Sequence, residues 1–193
     1  MAVDEILGKV AKSIRRVNDA KIARVIDLLV EARNNKRKVF IIGVGRSGLV
    51  ARSFAMRLAQ LSFDVYVVGE TITPALEKRD ILFAISGSGE TKTVLTSAKL
   101  ARVSGAIIVA VTSFEKSSLT SACDHYVVLQ GRRRITGKKH DFSHQILGHV
   151  PLTPLGTIFE IGSAVFLDGL IAEIMTRLNK TEPELAKRHA TIE

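Results

Sequence analysis

Cysteine, aromatic residues and long apolar runs are all scarce in this chain of 193 residues. Its one cysteine, Cys123, can form no internal disulfide, and its apolar neighbourhood suits a small core residue in a reducing compartment. No stretch approaches the roughly 18 to 20 uninterrupted apolar residues that a membrane span needs. Residues 1–12 alternate charged and apolar side chains and lack the pattern of a secretory signal. We therefore expect a cytoplasmic protein without a membrane partner.

Tryptophan is absent and aromatic residues make up only 5% of the chain, so the stacking surfaces of single-stranded nucleic acid binding are missing. The formal net charge of +9 still favours anionic partners, which include nucleic acid, acidic lipid and phosphorylated metabolites. Charge alone does not choose among these classes. The scarcity of aromatic residues argues against nucleic acid, and we expect no such partner.

The apolar pattern predicts an α/β fold with a doubly wound, five-stranded parallel sheet in a single domain. Five short aliphatic runs alternate with helical stretches, which is typical of a sheet covered on both faces. Helical periodicity before the first run predicts one long or two consecutive helices. The predicted strands are residues 39–42, 65–68, 81–85, 107–111 and 126–129, and the helices between them lie around residues 50–61, 91–103 and 117–122.

The single domain, residues 1–193, divides by pattern into four parts. An N-terminal helical segment (1–35) precedes the sheet core (36–130), a basic loop (131–154) and C-terminal helices (155–193). The loop carries His140, His144 and His149, whose spacing lacks a tight metal-binding pair. We therefore expect surface or lid residues there and no metal site.

The first strand runs into Gly-Val-Gly-Arg-Ser-Gly at residues 43–48, which matches the dinucleotide fingerprint. Glu70 follows at about the 20-residue distance of the ribose-binding acid. Taken alone the match is weak, because glycine-rich strand-to-helix turns bind many phosphates through helix N-terminal N–H groups. A nicotinamide-dependent dehydrogenase therefore remains one interpretation of this loop.

The third strand ends in a second glycine-rich loop, Ser-Gly-Ser-Gly-Glu-Thr at residues 86–91. Its three hydroxyls, separated by glycines, predict a cup of O–H and N–H donors for a phosphate monoester. The alternative is that they only cap the following helix, but one hydroxyl is enough for a cap. Both loops should meet at the carboxyl edge of the sheet. The predicted binding residues are Gly45, Arg46, Ser47, Ser86, Gly87, Ser88 and Thr91, and the alternative for Arg46 is a solvated arginine.

The stretches GVGRSGLVARSFAMRL, ILFAISGSGET, PLTPLGTIFE and KRHATIE resemble the 6-phospho-3-hexuloisomerases, a branch of the SIS (sugar isomerase) family. The similarity covers nearly the whole chain after the first helix. It implies a flavodoxin-like SIS fold and a homo-oligomer, usually a tetramer. It also implies reversible conversion of D-arabino-3-hexulose 6-phosphate to D-fructose 6-phosphate without a cofactor. Functional coupling to 3-hexulose-6-phosphate synthase in the ribulose monophosphate pathway would follow.

Moving a carbonyl from C3 to C2 requires a base that removes the C2 proton to form an enediolate. Glu160 is the one acid in an otherwise apolar helix start, and the family has an acidic residue at this position. We predict that Glu160 is this base. The alternative is an exposed carboxylate favoured by the helix dipole. Glu90 is a rival whose place at a helix start suits a structural role.

The predicted acid is His189, which matches a histidine that ends the family's sequences and is delivered there to a neighbouring subunit's site. Its alternative is a solvated histidine on a frayed tail. Many relatives carry histidine where this chain has Gln60, which argues against proton transfer at this position, although glutamine could still polarise a hydroxyl.

Two further functions stay open beside the isomerase. SIS modules also serve as non-catalytic sugar-phosphate sensors, but such regulators should carry a DNA-binding helix-turn-helix first, and residues 1–35 are too few for one. Isomerases of arabinose 5-phosphate or sedoheptulose 7-phosphate are the other class. The former usually have a further regulatory domain, and the latter differ in the second loop.

Overall fold

The computed structural model of the chain describes residues 1–131 and 156–188. Helices and strands alternate through most of this part, as the apolar pattern predicts. The helices are α1 (Ala2–Ile14), α2 (Asp19–Asn34), α3 (Arg46–Gln60), α4 (Lys92–Val103), α5 (Ser118–Ala122), α6 (Thr157–Arg177) and α7 (Glu182–Ala186). The strands are β1 (Val39–Gly43), β2 (Val65–Val67), β3 (Ile81–Ile85), β4 (Ile107–Thr112) and β5 (His125–Val128).

The five strands form one parallel sheet in the order β2-β1-β3-β4-β5. The predicted α/β class and the five-stranded parallel sheet are confirmed. The chain reverses its direction of winding between β1 and β3, whose last residues Gly43 and Ile85 are partners in the sheet. Ligands of open parallel sheets bind at the carboxyl edge beside such a reversal. The two glycine-rich loops leave the sheet at this point.

Helices cover both faces of the sheet, which explains why its strands are apolar without alternation. In β3, Ile81, Phe83 and Ile85 belong to the apolar cluster beneath α2, α3 and α6. The intervening Leu82 and Ala84 belong to the cluster beneath α4 and α5. All five residues of β3 are buried. Because successive side chains point to opposite faces, a strand covered on both faces must be apolar at every position.

The N-terminal segment forms two helices, which decides between the two predicted options. Asn18 separates them, and its side chain accepts a hydrogen bond from the backbone N–H of Lys21 at 3.2 Å, which caps α2. Helices α1 and α2 both pack on α6, and α2 also contacts β5. No helix in residues 1–131 or 156–188 is long and apolar enough to cross a membrane.

Helix α3 begins at Arg46, four residues earlier than the sequence pattern predicts. The preceding Gly45 has φ 61° and ψ −133°, a conformation that side-chain-bearing residues rarely adopt. The turn therefore closes directly into the helix. This early start puts Arg46 and Ser47 in the first helical turn at the carboxyl edge of the sheet.

Candidate active site

The first loop is a tight turn between β1 and α3 that depends on small residues. A Cβ atom added at Gly43 would lie 2.5 Å from the backbone oxygen of Ser47, and one at Gly48 would lie 3.0 Å from the backbone oxygen of Gly43. Gly45 at the N-cap has no side chain with which to cap the first amides of α3. The start of α3, with Ser47 in its first turn, therefore lies at the sheet edge without a side-chain cap from Gly45, and such a helix start can bind an anion.

The second loop gathers its three hydroxyls around Thr91. The Thr91 Oγ1 atom lies 3.1 Å from Ser86 Oγ and 3.4 Å from Ser88 Oγ. Ser86 Oγ also accepts a hydrogen bond from the N–H of Gly89 at 3.2 Å, and Ser88 Oγ accepts one from the N–H of Glu90 at 3.2 Å. Two hydroxyl–hydroxyl contacts use two of the three O–H donors, so rotation of the hydroxyls would redirect them to a bound anion. We name these three side chains the hydroxyl cup.

The capping alternative does not describe Thr91. Thr91 is the N-cap residue of α4, but within the described residues its side chain makes no cap hydrogen bond to the helix. Its hydroxyl faces Ser86 and Ser88 instead. The local hydrogen bonds of the cup hold the loop in shape, and no side chain in residues 1–131 or 156–188 caps the start of α4 from the N-cap position.

Glu160 lies in the first turn of α6, and its side chain is only 14% exposed. The alternative interpretation, an exposed carboxylate at this position, is therefore wrong. Its Oε2 atom lies 2.8 Å from Nε of Arg46, which is an ion pair. Oε2 is buried and accepts no hydrogen bond within the described residues, so the contact with Arg46 is an ion pair alone. The Arg46 side chain is therefore half exposed, at 54%, and its guanidinium is paired with the Glu160 carboxylate.

The backbone before α6 supports the other side of this carboxylate. Gly156 has φ 89°, and a Cβ atom added there would lie 2.9 Å from Oε1 of Glu160. The Glu160 carboxylate therefore lies between Gly156 and the Arg46 guanidinium. Sequence reasoning missed Gly156, although a glycine directly before an apolar helix with one acid was a usable signal.

Phe159 connects Glu160 with the hydroxyl cup. A Cβ atom added at Gly87 would lie 2.8 Å from Cδ1 of the buried Phe159 ring. On the other side, a Cβ atom at Gly131 would lie 2.5 Å from the backbone nitrogen of Phe159. Two glycines thus allow the start of α6 to approach the second loop closely. The structure brings Arg46, Glu160 and the cup to one edge of the sheet.

The two other acids considered from sequence are engaged elsewhere. Glu90 accepts hydrogen bonds from the N–H and Oγ of Ser118, at 2.8 and 2.5 Å. Glu70 accepts two hydrogen bonds from Arg52 through Oε1, at 2.7 and 3.1 Å. Glu90 is therefore tied to α5, in agreement with a structural role. Glu70, the counterpart of a ribose-binding acid, is paired with α3.

Gln60 lies at the opposite end of α3 from Arg46, about 21 Å along the helix axis at 1.5 Å per residue. It is 7% exposed and lines a cavity of about 340 Å³ together with Arg33, Lys187 and Arg188. Arg188 is the last described residue before His189, so the predicted acid lies outside the described residues. Within one chain, the structure places Gln60 and the start of the tail together and away from Glu160.

The basic loop with His140, His144 and His149 also lies outside the described residues. Within residues 1–131 and 156–188, no group of three or more His, Cys, Asp or Glu side chains could hold a metal ion.

Comparison with known proteins places this geometry in a family. The model of the SIS domain matches residues 33–139. The 3-hexulose-6-phosphate isomerase of Methanocaldococcus jannaschii is 41% identical over 172 residues, which cover 89% of this chain and 84% of the relative. The enzyme of the same name from Bacillus subtilis is 30% identical over 191 residues, 99% of this chain and 97% of the relative.

A solved structure extends the similarity to three dimensions. A Methanococcus jannaschii protein, for which the crystal structure inferred a molecular function of 3-hexulose-6-phosphate isomerase, matches with a TM-score of 0.78 and 36% identity. The match covers 99% of this chain and 98% of that protein. The chain therefore belongs to the SIS domain family, in the group that includes the 3-hexulose-6-phosphate isomerases.

Proposed function

We propose that this protein is a 6-phospho-3-hexuloisomerase that interconverts D-arabino-3-hexulose 6-phosphate and D-fructose 6-phosphate. The observation that carries the proposal is a largely buried carboxylate, Glu160, beside the hydroxyl cup at the winding reversal of the sheet. Relatives named for this reaction match the chain over most of its length, which supports the same substrate class.

The phosphate group of the substrate binds the hydroxyl cup and the start of α3. Ser86, Ser88 and Thr91 donate O–H groups, Ser47 adds a fourth, and the backbone N–H groups of two helix starts face the anion. Because the phosphate is on O6, the C3 ketone cannot close a five-membered ring through O6. In this direction the substrate therefore arrives open-chain and needs no ring-opening group.

Glu160 acts as the base on the open-chain sugar. It removes the proton from C2, which gives an enediolate across C2 and C3, and a proton then returns at C3. The hydroxyl proton passes from O2 to O3, so the product carries its carbonyl at C2. Arg46 lies beside the carboxylate and offers its remaining N–H groups to the developing negative charge on the enediolate oxygens.

The acid that serves O2 and O3 is His189 of a neighbouring subunit in a homo-oligomer, which we propose to be a tetramer. The position of Arg188 supports this arrangement, because it lies in the Gln60 cavity at the end of α3 remote from Arg46. A tail that starts there serves another chain's site more readily than its own. We further propose that the enzyme acts in the cytoplasm and is coupled to 3-hexulose-6-phosphate synthase.

A mixing experiment tests the shared site. Glu160→Gln and His189→Ala variants, each inactive alone, are co-expressed so that mixed oligomers form. If sites combine Glu160 of one chain with His189 of another, mixed oligomers regain part of the activity through sites that hold both intact residues. A site built within one chain would leave the mixture as inactive as its components.

Turnover itself is tested with 3-hexulose 6-phosphate generated enzymatically and with fructose 6-phosphate as the measured product. The purified protein should convert it in the presence of EDTA and without nucleotide, and Glu160→Gln should not. Arabinose 5-phosphate serves as the competing substrate. Binding of fructose 6-phosphate without turnover of any of these sugars would instead favour a sensor.

A further inference from the structure

Glu90 belongs to the sequence of the second loop, and its carboxylate binds Ser118 of α5. Oε1 accepts a hydrogen bond from the backbone N–H of Ser118 at 2.8 Å, and Oε2 accepts one from Ser118 Oγ at 2.5 Å. Ser118 is the first residue of α5, where the backbone N–H has no partner within the helix. Glu90 therefore closes the start of α5 from outside that helix.

Backbone hydrogen bonds run beside this side-chain contact. The N–H of Leu119 donates to the carbonyl of Gly89 at 3.0 Å, and the N–H of Ser113 donates to the carbonyl of Gly87 at 3.3 Å. The segment from β4 to α5, residues 112–119, thus supports the second loop from behind. We name this segment the α5 support.

The close approach of the loop to the α5 support depends on Gly89. Its φ is 66°, and a Cβ atom added there would lie 2.3 Å from Oγ of Ser117 and 3.1 Å from Oγ1 of Thr112. Glycines that allow this approach also leave the free loop many conformations. A phosphate cup binds tightly only if its donors are held in place before the ligand arrives. The loop therefore needs an external fixing point next to Gly89.

We propose that Glu90 is a positioning residue that fixes the hydroxyl cup against the α5 support and thereby sets the affinity for the substrate's phosphate group. The inference rests on the proposed function and assigns to Glu90 no part in proton transfer. Thr91, the centre of the cup, directly follows Glu90, so the Glu90–Ser118 contact restrains its backbone.

Because Glu90 is charged, the direction in which phosphate affinity changes on its removal tests the proposal. A carboxylate near a bound phosphate repels it, so removal of Glu90 would strengthen phosphate binding if only its charge mattered. If Glu90 instead positions the cup, its removal weakens binding. The two effects oppose each other, and the direction of the change separates them.

The experiment compares Glu90→Ala, Glu90→Gln and Ser118→Pro in the full-length protein. Glu90→Gln keeps an acceptor for Ser118 without the charge. Ser118→Pro removes both donors, N–H and Oγ, and proline is well tolerated as the first residue of a helix. Ser117 before it is extended, with φ −148° and ψ 165°, which suits a residue that precedes proline. Glu115→Ala is the charge-matched control, because Glu115 is exposed and accepts a hydrogen bond from the Tyr126 hydroxyl, at 3.5 Å, which lies outside the second loop.

Binding of inorganic phosphate and of fructose 6-phosphate is measured by calorimetry, with kcat and KM from the turnover assay. We expect Glu90→Ala and Ser118→Pro each to raise Kd and KM about tenfold, the scale of a hydrogen bond to a charged group, with kcat nearly unchanged. Glu90→Gln should have Kd and KM values close to those of the parent protein. Glu115→Ala should bind phosphate at least as tightly as the parent. The double variant Glu90→Ala with Ser118→Pro should bind phosphate no more weakly than either single variant, because each substitution removes the same contact between Glu90 and Ser118.

Unchanged or tighter phosphate binding by Glu90→Ala overturns the proposal, and so do additive effects in the double variant. A fall in kcat at unchanged KM would overturn it as well and assign Glu90 to proton transfer. If Glu90→Ala does not fold, Ser118→Pro decides alone. Absence of turnover in the parent protein would overturn the proposed function, whereas phosphate binding would still test the role of Glu90.

Discussion

The guanidinium of Arg46 and the carboxylate of Glu160 form an ion pair, with Nε 2.8 Å from Oε2. This pair joins the first residue of α3 to the first turn of α6, and so joins the first glycine-rich loop to the candidate base. An arginine has five N–H donors, and this contact leaves most of them available. A substrate oxygen that binds Arg46 is therefore brought next to Glu160.

Replacement of Glu160 by glutamine should abolish turnover. The amide keeps the shape of the side chain but cannot accept the C2 proton, so kcat should fall by about 10²-fold or more, the contribution of a positioned base. Binding of fructose 6-phosphate, measured by calorimetry, should stay within about threefold of the parent protein. Glu173→Gln on the exposed side of α6 is the control and should leave kcat unchanged. Normal turnover by Glu160→Gln would refute the assignment of the base.

Replacement of Ser88 by alanine should chiefly weaken substrate binding. Ser88 Oγ lies 3.4 Å from Thr91 Oγ1 in the cup, and loss of one O–H donor to a phosphate should raise KM about tenfold with a smaller effect on kcat. Ser104→Ala, at an exposed hydroxyl after α4, is the matched control. Unaltered affinity for fructose 6-phosphate in Ser88→Ala would place the phosphate elsewhere.

Replacement of Gly87 by alanine should disturb both the hydroxyl cup and the position of Glu160. The new Cβ would lie 2.8 Å from the Phe159 ring, which must move, and Phe159 directly precedes Glu160. Such overpacking costs about 1 to 3 kcal/mol of the free energy of unfolding, and kcat/KM should fall. Gly8→Ala meets no atom within 4 Å and should instead stabilise helix α1 by about 0.5 to 1 kcal/mol. Urea unfolding of both variants measures these differences; equal stability of Gly87→Ala and the parent would contradict the packing described here.

The Cys123 thiol should resist thiol reagents in the folded protein. Burial, followed by the nearby charge of Asp124, raises the pKa of Cys123 to about 11, so the thiolate is scarce at neutral pH. Labelling with a chromogenic disulfide at pH 8 should be slow in buffer and fast in denaturant. Since the unfolded thiol ionises at lower pH, this group's contribution to stability is present below pH 9 and lost as the pH rises toward 11. Rapid labelling of the folded protein would show an accessible thiolate.

Local patterns in the sequence were sufficient to predict the strands and both glycine-rich loops. Strand runs such as 81–85 are apolar at every position, because helices cover both faces of the sheet. The second loop was recognisable from three hydroxyls within six residues. The helix boundaries were less predictable: the start of α3 moved to Arg46 because Gly45 turns the chain abruptly, and periodicity carries no information on such a turn.

The partners of the site residues were decided by the tertiary structure. Sequence reasoning singled out Glu160 and Arg46 separately, but their ion pair exists only because α6 returns to the start of α3. The same holds for Gly156 behind the carboxylate and for Ser118 beneath Glu90. Local pattern records whether a residue is apolar, small or charged, because burial and backbone conformation select for those properties. Which distant residue it meets depends on strand order and helix packing, which arise only when the whole chain folds.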